Sequence, residues 1–295
     1  MNFKNILNEI EKTDPEVYER LSDRRQVLKS FSSKVAVAAL PIALGSMFKK
    51  AYGKTSAASD VVSILNFALQ LEYFEYNFYH KANNTGGLIP AGDKPGFLNI
   101  EAHELAHILF LNDVVTTLGG TPYTPPNYIS TAIIPQYIPS GTYDFTGHGA
   151  YSSVFSTYTT FLTLAQVFED TGVHAYQGQM PNLAGSSVLG QAFQIASTEG
   201  RHAAHVRRIR REAPISAIEQ PAPWITNNIP PLPTAAFQPY YTGEENTMQA
   251  GGVDISSLPD SYGTSGTVPV LSATAAFDEG KDMATIVSLI QPFLV

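Results

Sequence analysis

The sequence predicts an all-α protein: a four-helix bundle with one long crossover, then an extended Pro/Gly-rich tail and a final helix. Three observations predict it. Four long segments carry apolar residues close to a 3.6-residue period, the repeat of a helix with one buried face. Between the second and third segments, residues 121–147 contain Pro122, Pro125, Pro126, Pro135 and Pro139, so no helix continues through them. A link of that length is unusual in a compact domain, but a bundle with one crossover needs it between its second and third helices. Finally, the first and third segments look like copies of one design, as do the second and fourth.

The chain of 295 residues has no cysteine and only 15% charged residues. Disulfides, thiolate metal sites and cysteine nucleophiles are therefore excluded. Any metal site must use oxygen and nitrogen ligands, which suits iron, manganese or zinc. The net charge of −8 is unevenly spread. Residues 1–54 hold ten of the eighteen Lys/Arg and six of the twenty-six Asp/Glu, leaving eight basic against twenty acidic residues elsewhere. So acidic a body repels phosphate backbones, and no nucleic-acid partner is expected. The one basic cluster in the body, Arg207 to Arg211, sits where a helix should end, and cations there favour the helix dipole.

Taken in order, residues 1–57 form an N-terminal arm. Residues 1–21 have the pattern of a short amphipathic helix. Arg24-Arg25 follow, then an apolar run from Val35 to Phe48 and a small-residue stretch ending at Ser59. The run is too short for a membrane span. Paired arginines, a modest apolar core and small residues resemble a twin-arginine export signal. Asp23 and Val27 depart from its usual pattern. The expected location is outside the cytoplasm, periplasmic or extracellular, with no membrane span left after removal of the leader. An N-terminal helical arm of the mature protein is the alternative.

The bundle itself is expected over 58–213. Its first helix should run from Ser59 or Asp60 to about Lys81, with Ile64, Phe67, Leu71, Phe74 and Phe78 on the apolar face and Asn83 to Gly87 as the stop. The second should span Phe97 to Leu118, ended by Gly119-Gly120. The third should span Gly149 to Gln177, and the fourth should start near Ser186 and end before Pro214. Residues 214–295 read as a tail wrapped over the bundle, because Trp224, Phe237, Tyr240 and Tyr241 argue against free disorder. The final helix is expected from Ala275 to about Ile290.

The repeated design carries chemistry. In one copy Glu72 is followed by Tyr79 and later by Glu104-x-x-His107. In the other, Glu169 is followed by Tyr176 and later by Glu199-x-x-His202. Glu and His at i and i+3 share one helix face. Two such pairs plus one glutamate from each of the other two helices form the ligand set of dinuclear iron and manganese bundles. Aligning Tyr79 with Tyr176 puts Glu72 on Glu169 and Glu75 on Gly172. Glu72 is thus the expected ligand, with Glu75 supporting it or on the surface. Any single Glu-x-x-His is common on a solvated face. Two in matching positions, with Glu72 and Glu169 set among apolar residues, point inward, where a carboxylate needs a compensating partner. The expected cofactor is two iron or manganese ions held by Glu72, Glu104, His107, Glu169, Glu199 and His202. A carboxylate–histidine network without metal is the alternative. Tyr79 and Tyr176 are expected to pack in the core or to bond to the carboxylates of the Glu-x-x-His pairs. His103, His174 and His205 lie off the ligand face, and His80 and His148 are expected at the surface or in caps.

Asn66 to Glu75, the two Glu-x-x-His pairs and Ala275-Ala276-Phe277-Asp278-Glu279 resemble the ferritin-like, desiccation-related family of bacteria and plants. The resemblance covers about 58–295. It implies a ferritin-like bundle, often exported, with the six residues above as dinuclear metal ligands. It supplies no substrate and leaves room for a homo-oligomer. The expected function is redox chemistry on oxygen or peroxide in stress protection. The rival is a non-catalytic, structural or desiccation-protective protein with the same bundle.

Overall fold

A computed structural model describes residues 58–125, 143–212, 221–232, 235–260 and 266–295. The N-terminal arm with its arginine pair, and 126–142 of the crossover, lie outside the described residues. The chain divides into two units, one of Met1–Ala51 with Pro259–Thr267 and one of Tyr52–Leu258 with Val268–Val295. Of the first, the described residues show an antiparallel bridge between Pro259 and Thr267. The second holds the bundle.

Four helices build it: α1 (Ala58–Asn84), α2 (Lys94–Thr117), α3 (Tyr158–Gln179) and α4 (Leu189–Glu212). α1 packs chiefly on α2, and α3 on α4. No described helix is long and apolar enough to cross a membrane. On α2 the buried residues are Phe97, Ile100, Glu104, Ile108, Leu111 and Val115, a stripe with steps of three and four. Glu104 therefore occupies a place in the apolar stripe, and Glu199 does the same between Ile195 and His202 on α4. By contrast α3 is buried on every side from Phe161 to Tyr176. The reason lies in the tail and the end of the crossover, which cover its outer face. Phe168 meets Phe293 of the tail with ring centroids 5.0 Å apart and Phe145 of the crossover at 6.4 Å. Tyr143 bridges Leu294, which ties the crossover to the C-terminus.

Several boundaries differ from the sequence reading. α1 runs three residues past Lys81, and α2 starts at Lys94 because Pro95 fits the first turn, where its missing N–H is not needed. α3 begins at Tyr158, not Gly149. Gly147, His148 and Gly149 have φ of 56°, 55° and 90°, a left-handed run that no α-helix contains. Asp144 closes that turn, accepting from the Thr146 and His148 N–H groups. α4 begins at Leu189, and the Ser186 hydroxyl caps the preceding turn by donating to the Leu183 carbonyl at 2.7 Å.

The tail adds a short helix α5 (Gln238–Tyr241) and a two-stranded hairpin, β1 (Met248–Gln249) with β2 (Val253–Asp254), paired Met248 to Asp254. Of the final helix expected from Ala275 to about Ile290, only its second half forms, as α7 (Met283–Ile290); a short helix α6 (Val270–Thr274) ends before its expected start. Backbone contact explains the break. The Lys281 N–H donates to the His174 carbonyl at 2.9 Å, and a Cβ on Gly178 would sit 1.8 Å from the Lys281 carbonyl oxygen. Chain that close to α3 cannot also coil as a helix. Asp282 caps α7, accepting from the Thr285 N–H at 2.7 Å. Phe277 is exposed, while Ile286 and Ile290 are buried as expected.

The basic cluster does end a helix, with Arg210 and Arg211 in the last turn of α4 and Arg208 and Arg211 exposed. Arg207 and Arg210 are buried. Arg207 Nε donates to Asp170 Oδ1 at 3.0 Å and its terminal nitrogen to Oδ2 at 2.5 Å. The Tyr241 hydroxyl joins them, donating to Asp170 Oδ2 at 2.6 Å. Arg210 donates to the Gln166 side chain and to the Pro231 carbonyl. These residues tie α4, α3 and the tail together. Tyr240 and Tyr241 are buried as the tail reading requires, whereas Trp224 is 57% exposed.

Candidate metal centre

All four helices deliver a carboxylate to one point in the bundle. Glu72, Glu104, Glu169 and Glu199 each have 0% exposure, and His202 is 4% exposed. His107 Nδ1 lies 3.1 Å from Glu72 Oε2, 3.2 Å from Glu104 Oε2 and 3.4 Å from Glu199 Oε1. His202 Nδ1 lies 2.9 Å from Glu104 Oε1, 3.5 Å from Glu169 Oε2 and 3.9 Å from Glu199 Oε2. Glu104 and Glu199 thus each turn one oxygen to either histidine. Two groups result, Glu72/Glu104/His107/Glu199 and Glu104/Glu169/Glu199/His202, each with one ligand atom per residue within 4.8 Å of the others. The groups share Glu104 and Glu199, and the internal repeat relates one group to the other.

The tyrosines cross between the copies. The Tyr79 hydroxyl on α1 donates to Glu169 Oε1 on α3 at 2.5 Å, and that of Tyr176 on α3 donates to Glu72 Oε1 on α1. The sequence allowed either core packing or a bond to the Glu-x-x-His carboxylates; both rings are buried, and their hydroxyls go to the other pair of glutamates. Two turns along a helix carry the ring beyond the carboxylate of its own copy, and the facing helix supplies the nearer one. Each tyrosine thereby occupies the oxygen of Glu72 or Glu169 that faces away from its histidine.

Electrostatics describes a strained cluster. Burial pushes Glu72 up to about 7, against the pull of His107. Burial and then repulsion from Glu104 and Glu72 hold Glu199 well above the usual carboxylate range, and burial raises Glu169. Glu104 goes the other way: burial works to raise it, but the two imidazoles beside it hold it below the usual range. Burial would lower both histidines, yet the surrounding carboxylates raise His107 to about 11 and His202 to about 12. Four carboxylates facing two imidazolium cations leave a deficit of positive charge, and protons on the raised glutamates make it up.

Unsatisfied atoms tell whether cations fit. Glu104 Oε1, Glu169 Oε2, both oxygens of Glu199 and His202 Nδ1 are buried without an aligned hydrogen bond. Such groups are costly unless something else compensates them. Here they converge on the two shared positions, and carboxylate oxygens with imidazole nitrogens are the donors that iron and manganese take. The residues fit a metal pair.

Other sequence-predicted residues fall into place around it. Glu75 is buried, which removes the surface alternative, and its carboxyl lies outside both groups. His103 is on the rim, its Nδ1 2.9 Å from His202 Nε2, and the two rings stack at 5.2 Å. It was off the ligand face, and only the packing of α2 against α4 reveals that it holds a ligand candidate. His174 pairs with Glu244 of the tail at 3.0 Å, both fully buried. His205 packs on Gly96. His80 bonds to Glu101 at 2.7 Å, and His148 is exposed in the left-handed turn. A surface pocket between α2 and α4 has Ala106, His107, Gln191, Gln194 and Thr198 in its wall, so His107 borders solvent there.

Fold and site together define a class: a helical bundle with a buried carboxylate–histidine cluster able to hold metal ions. The model of the ferritin-like domain matches residues 60–212, more than half of the chain, and the chain belongs to the ferritin-like domain family. No curated protein matches it.

Proposed function

We propose that this protein binds two iron or manganese ions through Glu72, Glu104, His107, Glu169, Glu199 and His202, and uses them for redox chemistry on oxygen or peroxide in stress protection. The observation that carries this reading is the sharing of Glu104 and Glu199 between two ligand groups. A carboxylate that turns an oxygen to each of two positions suits a bridge, and Glu72 and Glu169 then complete one position each. When bound, the metal pair would supply the capacity to exchange two electrons with a small oxidant. The chain's residues do the rest. Tyr79 and Tyr176 orient Glu169 and Glu72 through their hydroxyls. His103 steadies the His202 ring by its hydrogen bond. The aromatic shell of Phe74, Phe78 and Phe168 keeps water from the α1–α3 side, so access runs along the α2–α4 seam beside His107. Membership of the desiccation-related branch and export by a twin-arginine signal belong to this proposal, supported by the motifs quoted above.

A second reading is favoured by one feature. The metal-free cluster can neutralise itself with two imidazolium cations and protonated glutamates, so a structural or desiccation-protective protein could keep this bundle without turnover. Metal analysis of protein purified from its native compartment separates the two, together with peroxide and oxygen consumption by the reconstituted protein. Two ions per chain and turnover that Glu104→Ala abolishes support the redox reading. No bound metal and no uptake on reconstitution leave the structural one.

A further inference from the structure

The metal-binding reading leaves one reagent without a place: whatever returns electrons to the pair after an oxidant has taken them. The seam between α2 and α4 offers a place. α2 packs on α1 and α4 on α3, while α2 and α4 meet only sparsely. The gap they leave is the pocket beside His107, about 230 Å³ in volume. An apolar cavity of about 150 Å³ holds benzene, so this one has room for a single substituted ring.

The wall is chemically selective. Ala106, Phe110 and Ile195 give it an apolar side, and an aromatic ring packs well on Phe110. Its polar side is made of amide and hydroxyl groups. Thr198 Oγ1 is already engaged, donating to the Gln194 carbonyl at 3.1 Å and accepting from Arg201 at 2.8 Å. No described residue bonds to the side-chain amide of Gln191 or Gln194, so both are free for a ligand. Apart from His107 the wall has no ionisable side chain; Arg201, which bonds to Thr198, is not part of it. An apolar surface with a few neutral donors and acceptors suits a small neutral molecule that carries hydroxyl groups.

His107 decides what can happen there. Of the six ligand candidates it is the one in the wall, while the four glutamates are wholly buried. Its Nδ1 faces Glu72, Glu104 and Glu199, and its Nε2 bonds to no described residue. A molecule in the pocket therefore has the imidazole ring between itself and the metal positions. Electrons can cross one ring; an oxygen atom cannot.

We propose that the α2–α4 pocket is the electron-donor site of this protein, and that it takes a small, uncharged hydroxyaromatic reductant of the hydroquinone type. This rests on the metal-binding reading above. In one cycle both O–H bonds of the hydroquinone break, two electrons pass through His107 to the oxidised pair, two protons go to solvent, and the quinone leaves. Two electrons match the capacity of the pair, so one molecule restores it.

The test begins with binding, which needs no turnover. Hydroquinone is titrated calorimetrically, without oxygen, into the full chain, both metal-free and loaded with ferrous ions. One molecule per chain is expected, with a dissociation constant of about 1 mM or below. Ala106→Trp, at an exposed position, fills the pocket without entering the core. It should abolish binding and leave melting temperature and ion content as in wild type. Gln194→Ala should weaken binding about three- to tenfold, the loss of one hydrogen bond. Loaded protein is then oxidised in air, freed of oxygen and mixed with hydroquinone. One quinone per pair of ions is expected, formed at least about tenfold more slowly in Ala106→Trp. No binding to either form, or equal binding in wild type and Ala106→Trp, overturns the proposal, while uptake of two ions keeps the metal-binding reading. Tighter binding of the anion 4-hydroxybenzoate overturns the uncharged class. Binding without quinone formation overturns the donor role. A wild type that takes up no iron overturns both readings.

Discussion

Loading the metal-free protein with ferrous or manganous ions at pH 7 should release about three to four protons per pair of ions. The count follows from the state of each ligand before binding. His107 and His202 are held up to about 11 and about 12, so both rings carry two protons and must lose one each. Burial and neighbouring carboxylates keep Glu199 well above the usual range, so it surrenders another. Glu72, at about 7, is half protonated, and burial raises Glu169 as well. Glu104 is already ionised between the two histidines. Calorimetric titration in buffers of different ionisation heat gives the number directly. The same groups set the sign of the stability change. His107 and His202 bind protons more tightly folded than unfolded, so their contribution is present below about 6.5 and is lost as pH rises through about 11 and about 12. Glu72 contributes below about 4.5 and loses it as pH rises through about 7. Metal-free protein should therefore melt at progressively lower temperature as pH rises from 5 to 9, a range fixed by these groups, while the loaded protein should melt higher at every pH. Uptake of metal with fewer than about one proton released would mean that the ligands lie elsewhere.

Tyr176→Phe and Tyr79→Phe each remove a donor from a buried carboxylate. Each should cost about 1–3 kcal/mol of stability to chemical denaturation, and about 10–100-fold in metal affinity by competition with a chelator. Arg207→Leu leaves Asp170 buried and unpaired beside Tyr241, which should cost about 3–5 kcal/mol and open the tail to limited proteolysis; unchanged protection would show that Arg207 does not tie the tail. Replacing Arg24 and Arg25 by lysine should keep the full-length precursor in the cytoplasm, and normal export of that variant would refute the signal.

How much of this was visible beforehand differs by element. The four helices show in the sequence because their stripes are local. Phe97, Ile100, Ile108 and Leu111 repeat at steps that only a helix satisfies, whatever lies against them. Gly149 was a poor boundary, since nothing in an apolar pattern records three successive left-handed residues. The final helix was overextended for a related reason. Ala275 to Lys281 has no strong breaker except Gly280, and its extended path is set by α3, more than a hundred residues away.

The site divides in the same way. Spacing alone determines that Glu104 and His107 share a face, as do Glu199 and His202, and the repeat alone aligns Glu72 with Glu169. These are properties of a helix and of internal likeness, so one chain suffices to read them. Which carboxylates face both histidines, which glutamate each tyrosine reaches, and that His103 backs His202 depend on how separate helices meet. Nothing in the sequence marks Arg207 and Arg210 as buried, because their partners, Asp170, Gln166 and the Pro231 carbonyl, lie far off in the chain. Glu75 shows the limit most clearly. The sequence determines that it is unmatched in the repeat; only the packing of α1 against α3 decides that it is buried, because the space for its carboxylate is made by Gly172 on another helix.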